Sequence, residues 1–273
     1  MYGFNLLKSI FLFSILLVHL NSQARLACVN LFYSHDITRQ GLVIDNQYGV
    51  VSQWDEKLKT AQLISDQKSM LCGPTCIYNV LEKMSLNRNE KLIPDKNAAE
   101  IVDYVKTIIP QTGGNSDQSI NYGMNLETMS KIINLASQQK DIHLDIELRS
   151  ANLTNENFKK GFTLDELKQS VLPDHAAIVL VGFYRTDNLQ EINSTNRIGG
   201  HYLIVAGYDT FNPQDLILQD PNRPLHYEKV TVDLVKPKSF NAPTFKIRIE
   251  PSFWRKAQTA VIESVILINR SGL

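Results

Sequence analysis

The segment Leu71–Ile77, with the sequence LCGPTCI, predicts the start of a buried helix. The apolar residues that begin here recur with the spacing of one helix face; they are Cys76, Ile77, Val80, Leu81 and Met84. Pro74 suits the first turn, because its missing N–H would have no partner within the helix at that point. Cys72 therefore lies at the N-terminal end of the buried stripe.

A second segment, Gly199–Asp209 with the sequence GGHYLIVAGYD, predicts an apolar strand that His201 begins. The next predicted strand, Leu216–Leu218, is followed by Asp220. Two adjacent antiparallel strands bring the start of one beside the end of the other. We therefore expect Asp220 to accept a hydrogen bond from the imidazole and to fix its tautomer. The two glycines before His201 carry no side chain that would obstruct substrate or thiol.

A thiol at a helix start and a histidine at a strand start are the two halves of a thiol nucleophile with its base. A cysteine attacks as its thiolate, and the free thiol titrates above neutral pH, so the site must favour the anion. A helix N-terminus does this with its partial positive charge and unpaired N–H groups. We predict Cys72 as the nucleophile and His201 as its base. The backbone N–H of Cys72 and the side-chain amide of Gln67 are the predicted oxyanion donors.

The pattern along the chain changes from helices to strands. Helices are predicted over residues 98–109, 126–136 and 163–171, the last with a capping box of Thr163 and Glu166. A polar surface loop is predicted over 111–121. Strands are predicted over 142–148, 176–183, 202–208, 216–218, 231–234 and 261–268. Helices followed by a largely antiparallel sheet are an α+β layout.

The composition is that of a globular protein. The chain has 273 residues, of which 43% are apolar, and its formal net charge is zero. Residues 25–273 are predicted to form one domain, with a lead-in up to about Ser69. A zero net charge argues against nucleic acid as the main partner and against tight binding to an anionic membrane, because both need a basic surface.

Residues 1–24 have the pattern of an export signal. Lys8 precedes the apolar run Ile10–Val18, and small residues stand at Ser22 and Ala24, where a signal peptidase would cleave. The apolar run is shorter than the roughly 20 residues that a spanning helix needs. We therefore predict an exported protein without a stable membrane anchor after cleavage, and an uncleaved anchor is the alternative.

Three cysteines would remain after cleavage: Cys28, Cys72 and Cys76. Disulfides persist in exported proteins, and an odd count leaves one thiol over. If Cys72 is the nucleophile, Cys28 and Cys76 could pair, or all three thiols could be free. Cys72 and Cys76 also have a spacing that could supply two zinc ligands, but no paired histidine motif completes such a site.

These motifs resemble those of the C39-like branch of the papain-like cysteine peptidases. The matching residues are Cys72-Gly73-Pro74-Thr75, Gly200-His201-Tyr202 and Asp220-Pro221, in the family's order, and the resemblance spans residues 66–221. It implies a helical part packed on an antiparallel sheet, and cleavage of a peptide or protein substrate without a metal or other cofactor. It also implies that Cys72 is the nucleophile, His201 the general base, Asp220 the orienting acid and Gln67 the oxyanion donor.

Three alternatives stay open at this stage. His175 is a rival base, although its position in the turn Pro173-Asp174-His175 suits a solvated side chain better. An acyl or amide transferase would use the same three residues and pass the acyl group to an amine. A catalytically silent binding module would retain the fold alone. The sequence predicts neither the substrate nor the oligomeric state.

Overall fold

The computed structural model describes residues 42–44, 72–86, 124–138, 142–152, 157–222, 227–248 and 257–270. Its helices are α1 (Cys72–Leu86), α2 (Leu126–Gln138) and α3 (Leu164–Gln169), with a 3-10 turn at Leu189–Glu191. Its strands are β1 (Leu42–Ile44), β2 (Leu144–Ser150), β3 (Lys159–Lys160), β4 (His175–Tyr184), β5 (Arg197–Asp209), β6 (Asp215–Gln219), β7 (Tyr227–Val235), β8 (Thr244–Ile247) and β9 (Thr259–Arg270). Within these ranges, no helix is long and apolar enough to cross a bilayer.

Six strands close into an antiparallel barrel. Each strand from β4 to β9 pairs with the next one in the chain, and β4 also pairs with β9, which closes the ring. Outside the ring, β1 extends the sheet from β5, while β2 pairs with β9 and then with the parallel β3. The antiparallel pairing predicted for consecutive strands is thus present, but the closure through β4 and β9 was not predicted.

The barrel strands separate two apolar clusters. One cluster draws buried side chains from all six barrel strands; among them are Val179, Leu203, Leu218, Val232, Phe245 and Val265. The other combines α1 and α2 with the opposite face of the strands, represented by Ile178, Ile204 and Ile266. Alternate residues of one strand therefore serve the two clusters, as the two-residue period of a strand requires. This second cluster holds helices α1 and α2 against the sheet.

Helix α1 is buried more completely than predicted. The sequence indicated one apolar face, yet the polar residues Thr75, Asn79 and Lys83 are at most 4% exposed. Lys83 Nζ donates hydrogen bonds to the backbone carbonyl oxygens of Ser170, at 3.2 Å, and of His175. These bonds attach the C-terminal half of α1 to the segment between α3 and β4, which fixes the helix that carries Cys72 at its other end.

The predicted elements are present within the described ranges, with shifted ends. The capping box of Thr163 and Glu166 is confirmed, since each residue satisfies a backbone N–H of the other. Three short strands were missed: β1, β3 and β8. Strands of two to four residues have too short a pattern to be recognised and owe their conformation to their neighbours in the sheet.

About twice as many described residues lie in strands as in helices, so the predicted α+β layout is matched only by its antiparallel sheet and by three helices packed beside it. The helix predicted over 98–109, the loop over 111–121 and the export signal over 1–24 lie outside the described residues. The layout as a whole stays a prediction.

Candidate active site

Cys72 is the first residue of α1 and is partly exposed. The groups that act on its thiol are the side chain of His201 and the backbone N–H groups of Tyr202 and Gly73. Burial raises the pKa of the Cys72 thiol, but the hydrogen bond and charge of His201 and the two N–H groups lower it by more. The net pKa lies below that of an ordinary cysteine, which favours the nucleophilic thiolate.

His201 and Asp220 form a buried pair beside this sulfur. The distance between His201 Nε2 and Asp220 Oδ1 is 2.7 Å, and the two side chains are 5% and 6% exposed. Strands β5 and β6 pair Ile204 with Gln219, so that the residue after Gln219 comes beside the beginning of the apolar part of β5. The structure thus brings Asp220 to His201 as expected, although β5 begins at Arg197, four residues before His201. With Nε2 directed at Asp220, Nδ1 is the ring nitrogen left for Cys72.

The same contacts act on the imidazole in the opposite direction. Burial lowers the pKa of His201, but the hydrogen bonds to Asp220 and Cys72 and the charges of both raise it by more, to about 9. A lowered thiol pKa beside a raised imidazole pKa favours the thiolate–imidazolium form of the pair over the neutral form. Such a pair would hold a nucleophile and a proton donor in contact.

Cys76, one helical turn further along α1, has the opposite properties. It is a free thiol, completely buried, and no disulfide joins it to Cys72. Burial raises its pKa well above the ordinary value, and the negative charges of Cys72 and Asp220 raise it further. Cys76 is therefore an unreactive core residue, while Cys28 lies outside the described part of the chain.

These differences predict selective alkylation. At pH 7, iodoacetamide is expected to label Cys72 rapidly and to leave Cys76 unlabelled in the folded protein, as measured by mass spectrometry of the separate peptides. His201→Ala should slow the labelling of Cys72 by at least about tenfold, because the thiol loses the hydrogen bond and charge that lower its pKa, while burial still raises it. His175→Ala is the matched control and should leave the rate unchanged. Equal, slow labelling of Cys72 and Cys76 would contradict this description.

His175, the rival base, does not contact Cys72. It is the first residue of β4, and burial followed by the charge of Lys83 lowers its pKa. Its backbone carbonyl accepts the bond from Lys83, in the C-terminal half of α1. Cys72 is at the other end of that helix, so His175 lies near the helix end opposite the thiol. The structure thus brings His201, rather than His175, to Cys72.

The predicted open space beside the two glycines is only half correct. A Cβ atom at Gly199 would meet nothing within 4 Å, whereas one at Gly200 would lie 2.4 Å from Arg197 Nη2. The guanidinium of Arg197 binds the buried carboxylate of Glu263 through Nε–Oε1 and Nη2–Oε2, at 2.8 and 2.9 Å. Gly182, paired with Gly200 across β4 and β5, leaves room for that carboxylate, because its Cβ would lie 2.0 Å from Glu263 Oε1.

Asn222 is a residue near the site that the sequence did not reveal. Its side-chain amide lies 3.0 Å from His201 Nε2, and its backbone N–H donates to Asp220 Oδ1 at 2.8 Å. Extending the β5–β6 register past Ile204 and Gln219 would have placed Asn222 opposite His201. Gln67, the predicted oxyanion donor, lies outside the described residues, and its role stays a prediction. Among the residues that the structure does describe, no cluster of three or more potential ligands is placed to hold a metal ion.

A thiolate at a helix start, paired with a buried imidazole and carboxylate, has the chemistry of a thiol hydrolase. Residues 46–242, well over half of the chain, match the model of the Peptidase_C39 like family, and the chain belongs to that family. Membership fits a papain-like fold and supports a cysteine peptidase-like function in general terms. Among curated proteins, none matches the chain.

Proposed function

We propose that this protein is an exported cysteine peptidase that hydrolyses peptide bonds through Cys72, His201 and Asp220. The observation that carries the proposal is the set of contacts around the Cys72 sulfur: His201 on one side, and the N–H groups of Gly73 and Tyr202. On the other side of the ring, Oδ1 of the buried Asp220 lies 2.7 Å from His201 Nε2. We include in the proposal the papain-like α+β layout and the cleavage of the segment 1–24 on export.

In the proposed reaction, the Cys72 thiolate attacks the carbonyl carbon of the scissile bond and forms a tetrahedral intermediate. The Cys72 N–H and the Gln67 amide would stabilise its oxyanion. The His201 imidazolium gives its Nδ1 proton to the leaving amine as the C–N bond breaks, which leaves a thioester on Cys72. Neutral His201 then takes a proton from water as the water oxygen attacks the thioester. The products are a free carboxylic acid and the regenerated thiolate–imidazolium pair.

Each residue has a distinct electrostatic task in this scheme. Asp220 stabilises the positive charge of His201 and holds Nε2, so Nδ1 stays directed at the sulfur. The N–H groups of Gly73 and Tyr202 stabilise the thiolate before attack. These donors are backbone groups at the start of α1 and in β5, so they are held in position by the helix and the sheet rather than by flexible side chains.

The pH profile of hydrolysis tests the proposal. With a mixed library of fluorogenic peptides, kcat/KM is expected to be bell-shaped. The rate rises as Cys72 loses its proton, below the usual thiol range near pH 8.5. It falls as His201 loses the proton that the leaving amine needs, near pH 9. Asp220→Ala should move the falling limb to lower pH, because the imidazolium loses the carboxylate that raises its pKa.

The products of the same assay provide the control on reaction type. Hydrolysis yields a free acid even when a primary amine is added in excess, whereas an amine adduct would show a transferase. A rate that keeps rising through pH 10 would contradict the assignment of His201 as proton donor to the leaving group.

A further inference from the structure

Asn222 makes two contacts in the proposed site, one with His201 and one with Asp220. Its side-chain Nδ2 lies 3.0 Å from His201 Nε2, the same nitrogen that Asp220 Oδ1 approaches at 2.7 Å. Its backbone N–H donates to that same Asp220 oxygen at 2.8 Å. The three residues thus form a closed ring of contacts around one imidazole nitrogen. A partly buried side chain that touches this atom is placed to influence the base directly.

The protonation of Nε2 decides which end of the amide faces the ring. In the imidazolium, both ring nitrogens carry hydrogen. In the neutral base, Nδ1 must offer a lone pair to the thiol or to water, and so the hydrogen stays on Nε2 beside the carboxylate. Nε2 is therefore a donor in both working states. In the structure the Asn222 NH2 group faces the ring through Nδ2, where it would meet a second donor. The two ends of an amide are assigned from the hydrogen-bond network, and this network favours the flipped amide, with Oδ1 directed at Nε2.

We infer that Asn222 is a second positioning residue for His201, sharing the Nε2 hydrogen with Asp220 in a three-centre hydrogen bond. This inference deepens the proposed function and rests on it. Asp220 supplies the negative charge, and Asn222 supplies an uncharged acceptor from a different direction. Two acceptors restrict the tilt of the ring more than one acceptor does, which keeps Nδ1 aimed at the Cys72 sulfur.

A carboxylate swap tests the inference. Asp220→Asn is expected to lower kcat/KM by roughly 10²- to 10⁴-fold, because a neutral amide can turn its NH2 group to the ring and favour the wrong tautomer. If Asn222 also faces Nε2, the double variant Asp220→Asn/Asn222→Asp returns a carboxylate to the same nitrogen. It should recover at least about tenfold of the lost rate, the equivalent of one strong charge-assisted hydrogen bond.

Single variants at 222 give a second readout. Asn222→Leu removes the acceptor and should lower kcat/KM about three- to tenfold, the range of one neutral hydrogen bond. Asn222→Asp adds a carboxylate and should move the falling limb of the pH profile to higher pH. Asn212→Asp, an exposed residue at the β5–β6 turn, is the matched control and should leave both the rate and the limb unchanged. A substitution that affects only folding would not change the pH at which kcat/KM falls.

The outcomes separate this inference from the proposed function. If the double variant is no more active than Asp220→Asn, and Asn222→Asp leaves the falling limb in place, then Asn222 does not share the nitrogen and the inference is wrong. In that case the slowed alkylation of Cys72 in His201→Ala would still support the proposed function. If His201→Ala leaves alkylation unchanged, the thiol–imidazole pair itself is wrong, whatever the variants at 222 show.

Discussion

Cys72→Ala is expected to eliminate the proposed peptide hydrolysis, with a loss of at least about 10⁴-fold in kcat. The expected loss is this large because, in the proposed mechanism, the side chain forms the bond to the substrate, and no other described group is placed to replace it. Cys76 is buried one turn away with a raised pKa, and the backbone donors at the site cannot attack a carbonyl. The measurement is release of free acid from a fluorogenic peptide library, with circular dichroism to show that the variant is folded.

Cys76→Ala is the matched control for this experiment. It removes a thiol from the same helix without touching the nucleophile, and it should retain activity. Cys76→Ala should lower the free energy of unfolding by at most about 2 kcal/mol, because it leaves only the small cavity of one sulfur in a buried cluster. If Cys76→Ala abolishes hydrolysis while Cys72→Ala preserves it, the assignment of the nucleophile is wrong.

Arg197→Ala is expected to destabilise the protein by about 2–4 kcal/mol, because it leaves the carboxylate of Glu263 buried without its charged partner. This destabilisation is smaller than that expected for a fully buried ion pair. The Arg197 side chain is 33% exposed, whereas that of Glu263 is 3% exposed. Tyr184 Oη would still donate to Glu263 and offset part of the loss. Equilibrium unfolding in urea measures the change.

The chain contains a well-matched exposed pair for comparison. Arg248 binds Asp233 with the same two-pronged geometry, Nε–Oδ2 and Nη2–Oδ1, both at 2.9 Å. Those side chains are 64% and 36% exposed, so water replaces the lost bonds. Arg248→Ala should therefore change stability little or not at all. If Arg197→Ala costs no more than Arg248→Ala, the burial of Glu263 does not matter energetically as described here.

The ion pair also explains Gly200, which the sequence interpretation had assigned to substrate access together with Gly199. Gly200 and its register partner Gly182 lack the Cβ atoms that would collide with Arg197 and Glu263. The sequence shows that small residues precede His201, and it cannot show which neighbour fills their space, because Glu263 belongs to β9, far along the chain. Only for Gly199 does the space remain open.

The outline of the site was predictable because its residues lie at the ends of elements with clear local patterns. Cys72 begins the helix with the apolar stripe, His201 begins the apolar part of β5, and Asp220 directly follows β6. Asn222 was missed because it lies just past a strand end, where only the pairing register identifies a neighbour. Gln67 falls outside the described residues, so its place remains a prediction from resemblance.

The sequence alone determined the order of Cys72, His201 and Asp220 and the helix and strands beside which they lie, because these depend on periodicity and end residues within short segments. Tertiary structure alone decided that β9 closes the barrel against β4, and that Glu263 is buried beside Gly182. It also decided the direction in which Cys72 and His201 shift each other's pKa. Those properties depend on burial and on distances between atoms remote in the chain, and no local pattern encodes either one.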